Sequence, residues 1–112
     1  MATHIARRVA TIDDLTQAGD YCGPEPITYG ENDHRTQVWF LLPLHIGKDR
    51  YDHEASRGSG LHGVSSPPWT FRECPDGSLE IRASIACSRH DAEGDGEYFH
   101  GYLDEGNVWR TA

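Results

Sequence analysis

The stretch SPPWTFRECPDGSLEIRASIACSRHDAEGDGEYFHGYLDEGNVWR, residues 66–110, decides the fold. Apolar residues recur at every second position over 69–71 and again over 79–87. A period of two places alternate side chains on one face of a β-strand. Between the two runs, residues 75–78 read Pro-Asp-Gly-Ser, which is typical of a tight turn because Pro presets φ and Gly accepts a positive φ. The pattern predicts a β-hairpin over 69–87.

A second hairpin is predicted over residues 98–110 by the same reasoning. Residues 98–103 and 108–110 are rich in aromatic residues, and the Asp-Glu-Gly-Asn segment at 104–107 lies between them. Pro67–Pro68 imposes extended backbone ahead of the first hairpin and stops any preceding helix.

Residues 38–46, VWFLLPLHI, form the most apolar run in the chain. A continuous apolar strand is typically covered on both faces, so 37–42 is predicted to be a central strand, with 44–46 following a kink. The preceding residues 20–37 are rich in Gly, Pro and polar side chains and read as a loop, with one short strand at 27–29.

The N-terminal third is predicted to contribute one short helix. Thr11 is a suitable N-cap, Asp14 sits at the third helical position, and Gly19 would end the helix after about two turns. Residues 1–10 are predicted to be a partly ordered terminus or an edge strand. Residues 47–66 are polar and rich in Gly and Ser, which indicates a long loop.

These elements predict one mainly β domain spanning residues 1–112, at the margin of the α+β class. The expected architecture is a small antiparallel β-sandwich or half-barrel of hairpins with one short N-terminal helix. Because the 38–46 run is more apolar than the rest of the chain can easily cover, a homodimer through this strand is a further expectation.

Composition restricts the partners. The chain has 18 acidic and 10 basic residues, a formal net charge of −8, so nucleic acid is not expected to bind directly. No apolar run is long enough for a membrane span, and the first 15 residues lack the apolar core of a secretory signal. The odd number of cysteines, at Cys22, Cys74 and Cys87, then favours thiols in a reducing cytoplasm over a disulfide framework.

A zinc site is one candidate chemistry. Thiolate and imidazole are the usual zinc ligands, and Cys87 and His90 have the two-residue spacing that lets neighbouring ligands reach one ion. His100, with Cys74 from the paired strand, would complete the set. The alternative is that Cys87 simply continues the apolar face of its strand as a small hydrophobic residue.

The acidic segment Asp91–Glu97 offers a second candidate, a calcium loop. The EF-hand pattern requires Glu at its twelfth position, which here is Tyr102, so a solvated hairpin loop is the preferred interpretation. Histidine-based hydrolysis is a third candidate, without a G-x-S-x-G or H-E-x-x-H motif to support it. Its candidate bases and nucleophiles are His45, His62, His90, His100, Ser65, Ser66 and Ser84.

An aromatic surface is the fourth candidate. In the strand over 98–103, alternation places Phe99 and Leu103 on a core face and the remaining aromatic residues on the opposite face. Tyrosine and tryptophan are favoured at protein interfaces because one end is apolar and the other is hydrated. The candidate binding residues are Tyr98, His100, Tyr102 and Trp109.

The motifs at 69–71, 76–85 and 98–110 resemble small proteins of tailed phages that infect actinobacteria. They are also distantly similar to a phage-associated domain of unknown function, in which a Ser-Ile strand precedes a Cys-His pair and zinc is suspected. The matching positions are Ala83–Ile85 and His100. The chain departs from that pattern because Phe99 replaces the cysteine and no upstream C-x-x-C is present.

The resemblance implies a phage or prophage accessory protein acting in the host cytoplasm. Together with the charge and the aromatic row, it leads to a functional expectation: a non-enzymatic protein that binds a host protein through an acidic and aromatic face. A small-molecule-binding or zinc-binding domain using Cys87, His90 and His100 is the alternative, and a small hydrolase with a histidine base is the second alternative.

Overall fold

Eight strands and one helical turn make up the part of the chain described by the computed structural model, which covers residues 3–43, 61–91 and 94–112. Side chains are described over 3–43, 61–87 and 99–112. The strands are β1 (Thr3–Ile5), β2 (Tyr21–Thr28), β3 (His34–Leu41), β4 (Leu61–Ser66), β5 (Thr70–Glu73), β6 (Leu79–Asp91), β7 (Gly94–Asp104) and β8 (Val108–Thr111).

The strands form two antiparallel sheets. The larger sheet has the order β1-β8-β7-β6-β5, and the smaller has the order β2-β3-β4. The predicted mainly β, antiparallel class is therefore confirmed. The strand predicted at 37–42 is the middle strand of the smaller sheet, although β3 begins three residues earlier, at His34. Residues 44–46 lie outside the described residues.

The two sheets face each other across one apolar core. Phe40 of β3 lies 5.1 Å from Trp109 of β8, measured between ring centroids, and Phe99 of β7 meets Trp109 edge-on at 5.4 Å. Each fully buried side chain of this size contributes about 1.5–3 kcal/mol through removal of apolar surface from water. Because alternate residues of β5 to β8 point into this core, the intervening residues form the outer face of the larger sheet.

Both predicted hairpins are present, and the turn residues explain their register. The first turn closes with Cys74 N–H donating to Ser78 O at 2.9 Å, and Gly77 has φ +86°. The second turn contains Gly106 at φ +87° and Asn107 at φ +61°. Both are left-handed backbone positions that Gly and Asn tolerate best.

Three segments predicted as loops contain strands. Residues 21–28 form β2 and residues 61–66 form β4, which pair with opposite sides of β3. The acidic segment 91–97 belongs largely to strands, because β6 and β7 remain paired from Ser88↔Glu97 to Asp91↔Gly94. Their composition is typical of loops, but each segment forms backbone hydrogen bonds with a neighbouring strand, and this pairing cannot be predicted from local composition.

The predicted N-terminal helix is wrong in extent. Only Ile12–Asp14 forms a helical turn, of the 3₁₀ type, and Thr11 N–H donates to the Asp14 carboxylate at 3.2 Å. Leu15 is already extended, with φ −74° and ψ 101°. The carboxylate of Asp20 then accepts the N–H of Thr16, which turns the chain away from a continuing helix.

The N-terminal residues are tied to the larger sheet. β1 pairs with β8 from Thr3↔Arg110 to Ile5↔Val108, so the edge-strand interpretation of this segment is confirmed. Beyond β1, Arg8 donates to both carboxylate oxygens of Glu73 at 2.6 Å.

Candidate functional site on the outer face of the larger sheet

The outer face of the five-stranded sheet carries a concentration of arginine. The strand positions between the core residues place charged side chains side by side from β5 to β8. Five of these charged residues form what we term the outer-face network: Arg72, Glu80, Arg82, Asp104 and Arg110.

The outer-face network is one continuous chain of ion pairs across four strands. Arg72 lies 3.1 Å from Glu80, and Glu80 lies 3.7 Å from Arg82. Arg82 lies 2.7 Å from Asp104, which lies 2.6 Å from Arg110. A single exposed ion pair contributes little, but a linked series restrains every member to one geometry. The five side chains are therefore held in fixed positions on the sheet.

Tyr102 lies within this network, between two guanidinium groups. The Cζ atom of Arg110 is 4.4 Å from the centre of the Tyr102 ring, and that of Arg82 is 5.2 Å away. A guanidinium over the face of an aromatic ring is attracted by the ring quadrupole. The tyrosine is half-buried, so it presents an ordered ring to solvent.

The network carboxylates are held in their ionised form. Burial alone raises the pKa of Asp104, but hydrogen bonds from Arg110 and Arg82 outweigh it and hold this pKa below its usual range. The hydrogen bond from Arg72 likewise lowers the pKa of Glu80. Both acids remain charged at neutral pH, so the ion pairs persist over the physiological range.

The predicted binding residues are partly brought together. His100 is exposed on the same face as Tyr102, with its Nε2 3.3 Å from Ser84 Oγ on the neighbouring strand. The side chain of Tyr98 lies outside the described residues. Trp109 was placed wrongly: it is fully buried and donates from Nε1 to Gly19 O at 2.8 Å, so it belongs to the core.

The predicted zinc ligands do not all converge. Cys87 is buried in the core and pairs in register with Phe99, whereas His100 pairs with Ala86 and is exposed. Neighbouring positions on a strand point to opposite faces, so Cys87 and His100 lie on opposite sides of the sheet. The side chain of His90 lies outside the described residues. Cys87, like the other two cysteines, is a buried thiol.

Cys74 instead lies close to two acidic side chains that were not predicted from the sequence as metal ligands. One ligand atom from each of Cys74, Asp76 and Glu105 lies within 4.8 Å of the others. Cys74 directly precedes the first hairpin turn and Asp76 lies within it. Glu105 is in the second turn, which lies at the same end of the sheet. The recurrence of an acid in two turns that adjacent hairpins bring together was the available signal. Cys74 is buried and both acids are exposed.

The candidate histidine bases fall into different settings. His62 stacks on Phe40 with ring centroids 5.9 Å apart, and burial lowers its pKa. Its Nε2 is buried and has no hydrogen-bond partner among the described residues. Among the described residues, the only candidate base within hydrogen-bond distance of a candidate nucleophile is His100, beside Ser84. His45 lies outside the described residues, and Ser65 Oγ donates to Pro67 O.

No protein-family model, curated protein or solved structure matches the chain. In the described residues, no helix is long and apolar enough to cross a membrane.

Proposed function

We propose that the chain is a non-enzymatic protein-binding domain that engages its partner through the outer face of the larger sheet. The observation that carries the proposal is the position of Tyr102, held between Arg82 and Arg110 on a face that the smaller sheet does not cover. His100, exposed on the same strand, extends this surface.

Tyrosine and arginine are the side chains that contribute most to protein interfaces. Together with tryptophan they dominate binding hot spots, where a single truncation costs about 2 kcal/mol or more. Ordering a flexible side chain on binding costs about 0.5–1.5 kcal/mol. Because the outer-face network already fixes the guanidinium groups beside Tyr102, much of that cost is absent here.

The partner we propose is a protein of the bacterial host, encountered in the host cytoplasm. The resemblance of the C-terminal motifs to proteins of actinobacterial phages supports a host partner. The net charge of −8 argues against direct binding to nucleic acid, whose phosphates repel an acidic protein. The charged face therefore fits a protein partner better than a nucleic acid.

Tyr102→Ala is expected to weaken partner binding at least about thirtyfold, the equivalent of a 2 kcal/mol hot spot. The measurement uses a photo-cross-linking residue at the exposed outer-face position Thr70, expressed in an actinobacterial host, followed by identification of the adduct. The affinity of the purified pair is then compared between variants.

Tyr29→Ala is the matched control, because Arg35 lies 5.1 Å from the Tyr29 ring on the smaller sheet. This variant should retain the adduct and the affinity. An adduct that persists in Tyr102→Ala and disappears in Tyr29→Ala would contradict the proposed face. Absence of any specific adduct from wild-type protein would contradict protein binding itself.

Metal binding is a second candidate function, favoured by the convergence of Cys74, Asp76 and Glu105. A thiolate with carboxylates suits Zn²⁺, which accepts sulfur and oxygen ligands. We expect zinc to raise the melting temperature of wild-type protein and of Cys22→Ala, but not of Cys74→Ala. A metal present at 100 times its Kd stabilises the folded state by about 2.7 kcal/mol. Equal shifts in all three proteins, or no shift in any, would rule out this site.

A further inference from the structure

We infer that the segment recognised by the outer face presents carboxylates, as in an acidic stretch of the partner protein. The inference rests on the proposed function and specifies its partner. It comes from the hydrogen-bond geometry of Arg72 and Arg110, the two arginines at the ends of the outer-face network.

Each end arginine uses one edge of its guanidinium within the protein. Arg110 donates from Nε to Asp104 Oδ2 at 2.6 Å and from Nη2 to Oδ1 at 3.4 Å. Arg72 donates from Nε to Glu80 Oε1 at 3.3 Å and from Nη2 to Oε2 at 3.1 Å. A guanidinium has five N–H groups on two usable edges, so the edge formed by Nη1 and Nη2 keeps donors for a second carboxylate.

The network carboxylates have less capacity to spare. Asp104 Oδ1 already accepts from both Arg82 and Arg110, at 2.7 and 3.4 Å, and Oδ2 accepts from Arg110. Three guanidinium groups share two carboxylates, so the five members of the outer-face network have an excess of donors and one excess positive charge among themselves. Asp76 and Glu105, outside the network, also interact electrostatically with Arg72. Its complement on a partner is a set of acceptor oxygens with negative charge.

The rest of the molecule makes this recognition local. With a net charge of −8, the chain as a whole repels polyanions, so an acidic segment binds only where fixed donors meet it. DNA carries phosphates at regular short intervals along its whole length. The net negative charge of the protein therefore opposes the binding of DNA more strongly than the binding of a short acidic peptide. A protein segment with a few carboxylates fits these requirements better.

The test uses fluorescence anisotropy with a labelled ten-residue peptide of alternating Glu and Ser. The comparison probes are the same peptide with Gln for Glu, the same peptide with Lys for Glu, and a ten-nucleotide oligothymidine. Wild-type protein is expected to bind the Glu peptide and not the Gln or Lys peptides. Removal of either end guanidinium, in Arg72→Gln or Arg110→Gln, is expected to weaken binding about tenfold.

Two further variants separate edge recognition from charge. Arg35→Gln is the matched control, because Arg35 also forms a two-point pair with an acid, Asp33, and also lies over a tyrosine. It should bind the Glu peptide like wild type. Arg110→Lys keeps the charge without the second bidentate edge, so it should show the same loss as Arg110→Gln. Melting curves verify that each variant is folded.

Equal binding of the Glu peptide by wild type, Arg72→Gln and Arg110→Gln would overturn the inference, as would no binding to wild type. Preference for oligothymidine over the Glu peptide would overturn it in favour of nucleic acid. If the Thr70 cross-link to a host protein still depends on Tyr102 while the Glu peptide fails, protein binding stands and only the carboxylate preference falls. If the peptide binds and no host adduct forms, the proposed function is the part that fails.

Discussion

Trp109→Ala is expected to lower the free energy of unfolding by about 3–5 kcal/mol, the range for removing a large aromatic side chain from a core. Trp109 is fully buried between Phe40 and Phe99, which approach to 5.1 and 5.4 Å. The substitution would also leave Gly19 O without the Nε1 donor that now lies at 2.8 Å. Because small domains are stable by only about 5–15 kcal/mol, this one change would remove much of the total.

Urea unfolding measures the loss directly, with the midpoint falling and the slope changing little. Trp39→Ala is the matched control, since Trp39 is only partly buried beside a smaller cluster of Leu15, Cys22 and Leu41. Its loss should be clearly smaller. If Trp109→Ala cost less than about 1 kcal/mol, the core assignment would be contradicted and a surface role for this tryptophan would regain support.

Local signals were sufficient for the hairpins. The alternation over 79–87 correctly placed Leu79, Ile81, Ile85 and Cys87 in the core, and the turn residues at 75–78 fixed the register with β5. Ala83, which shares this alternation, is instead exposed, where the pairing of β6 with β7 shifts register. Both signals act over a few residues, so no knowledge of distant strands was needed. The same holds for Phe99 and Leu103, whose alternation placed them correctly in the core.

Segments that depend on distant partners were missed. β4 reads LHGVSS and contains few strand-forming residues, yet β3 pairs with all of it from Leu61 to Ser66. β2 contains Pro24 and Pro26, which usually argue against a strand, but it lies at the edge of its sheet, where Pro is tolerated. In both strands, pairing with an apolar central strand outweighed local propensity.

The sequence predicted the aromatic part of the candidate site but not its arginines. Alternation placed His100 and Tyr102 on the face opposite Phe99, and the structure puts both on the outer face. The arginines around Tyr102 were missed because the order β8-β7-β6-β5 brings together residues from four strands. Trp109 was misassigned although its partner across the hairpin, Leu103, had been placed in the core. Residues directly opposite each other share a face, so that pairing was the overlooked signal.

Asp20→Asn is expected to lower the free energy of unfolding by about 2–3 kcal/mol. The buried carboxylate accepts the N–H of Thr16 at 3.1 Å and of Gln17 at 2.9 Å, and both N–H donors of Arg7 that face it. An amide that keeps its oxygen at the Oδ2 position still accepts both backbone N–H groups, but as a neutral acceptor it forms weaker hydrogen bonds, by about 1 kcal/mol for each. Its NH2 group then replaces Oδ1, to which Arg7 Nε donates. Arg7 is half exposed, so most of the loss should come from the weakened hydrogen bonds to the two backbone donors.

The effect should depend on pH in a defined direction. Burial raises the pKa of Asp20, but the hydrogen bonds from Arg7 and from the two backbone N–H groups outweigh it and hold this pKa below its usual range. In the unfolded chain the pKa of an Asp side chain is about 3.9. Because the folded pKa is the lower one, the stabilisation is fully present above the unfolded pKa and is lost as pH falls through the folded pKa.

The difference in unfolding free energy between wild type and Asp20→Asn should therefore be constant from about pH 5 to 8 and shrink below about pH 4, near the unfolded pKa of Asp. Asp33→Asn is the control: Asp33 pairs with Arg35 near the surface, so this substitution should lower the free energy of unfolding much less than Asp20→Asn does. A difference that stayed constant below pH 4 would show that Asn fails by its shape rather than by its charge. In that case the ionised carboxylate would not be what holds the 16–20 turn against β3, where Leu41 N–H donates to Asp20 O at 2.9 Å.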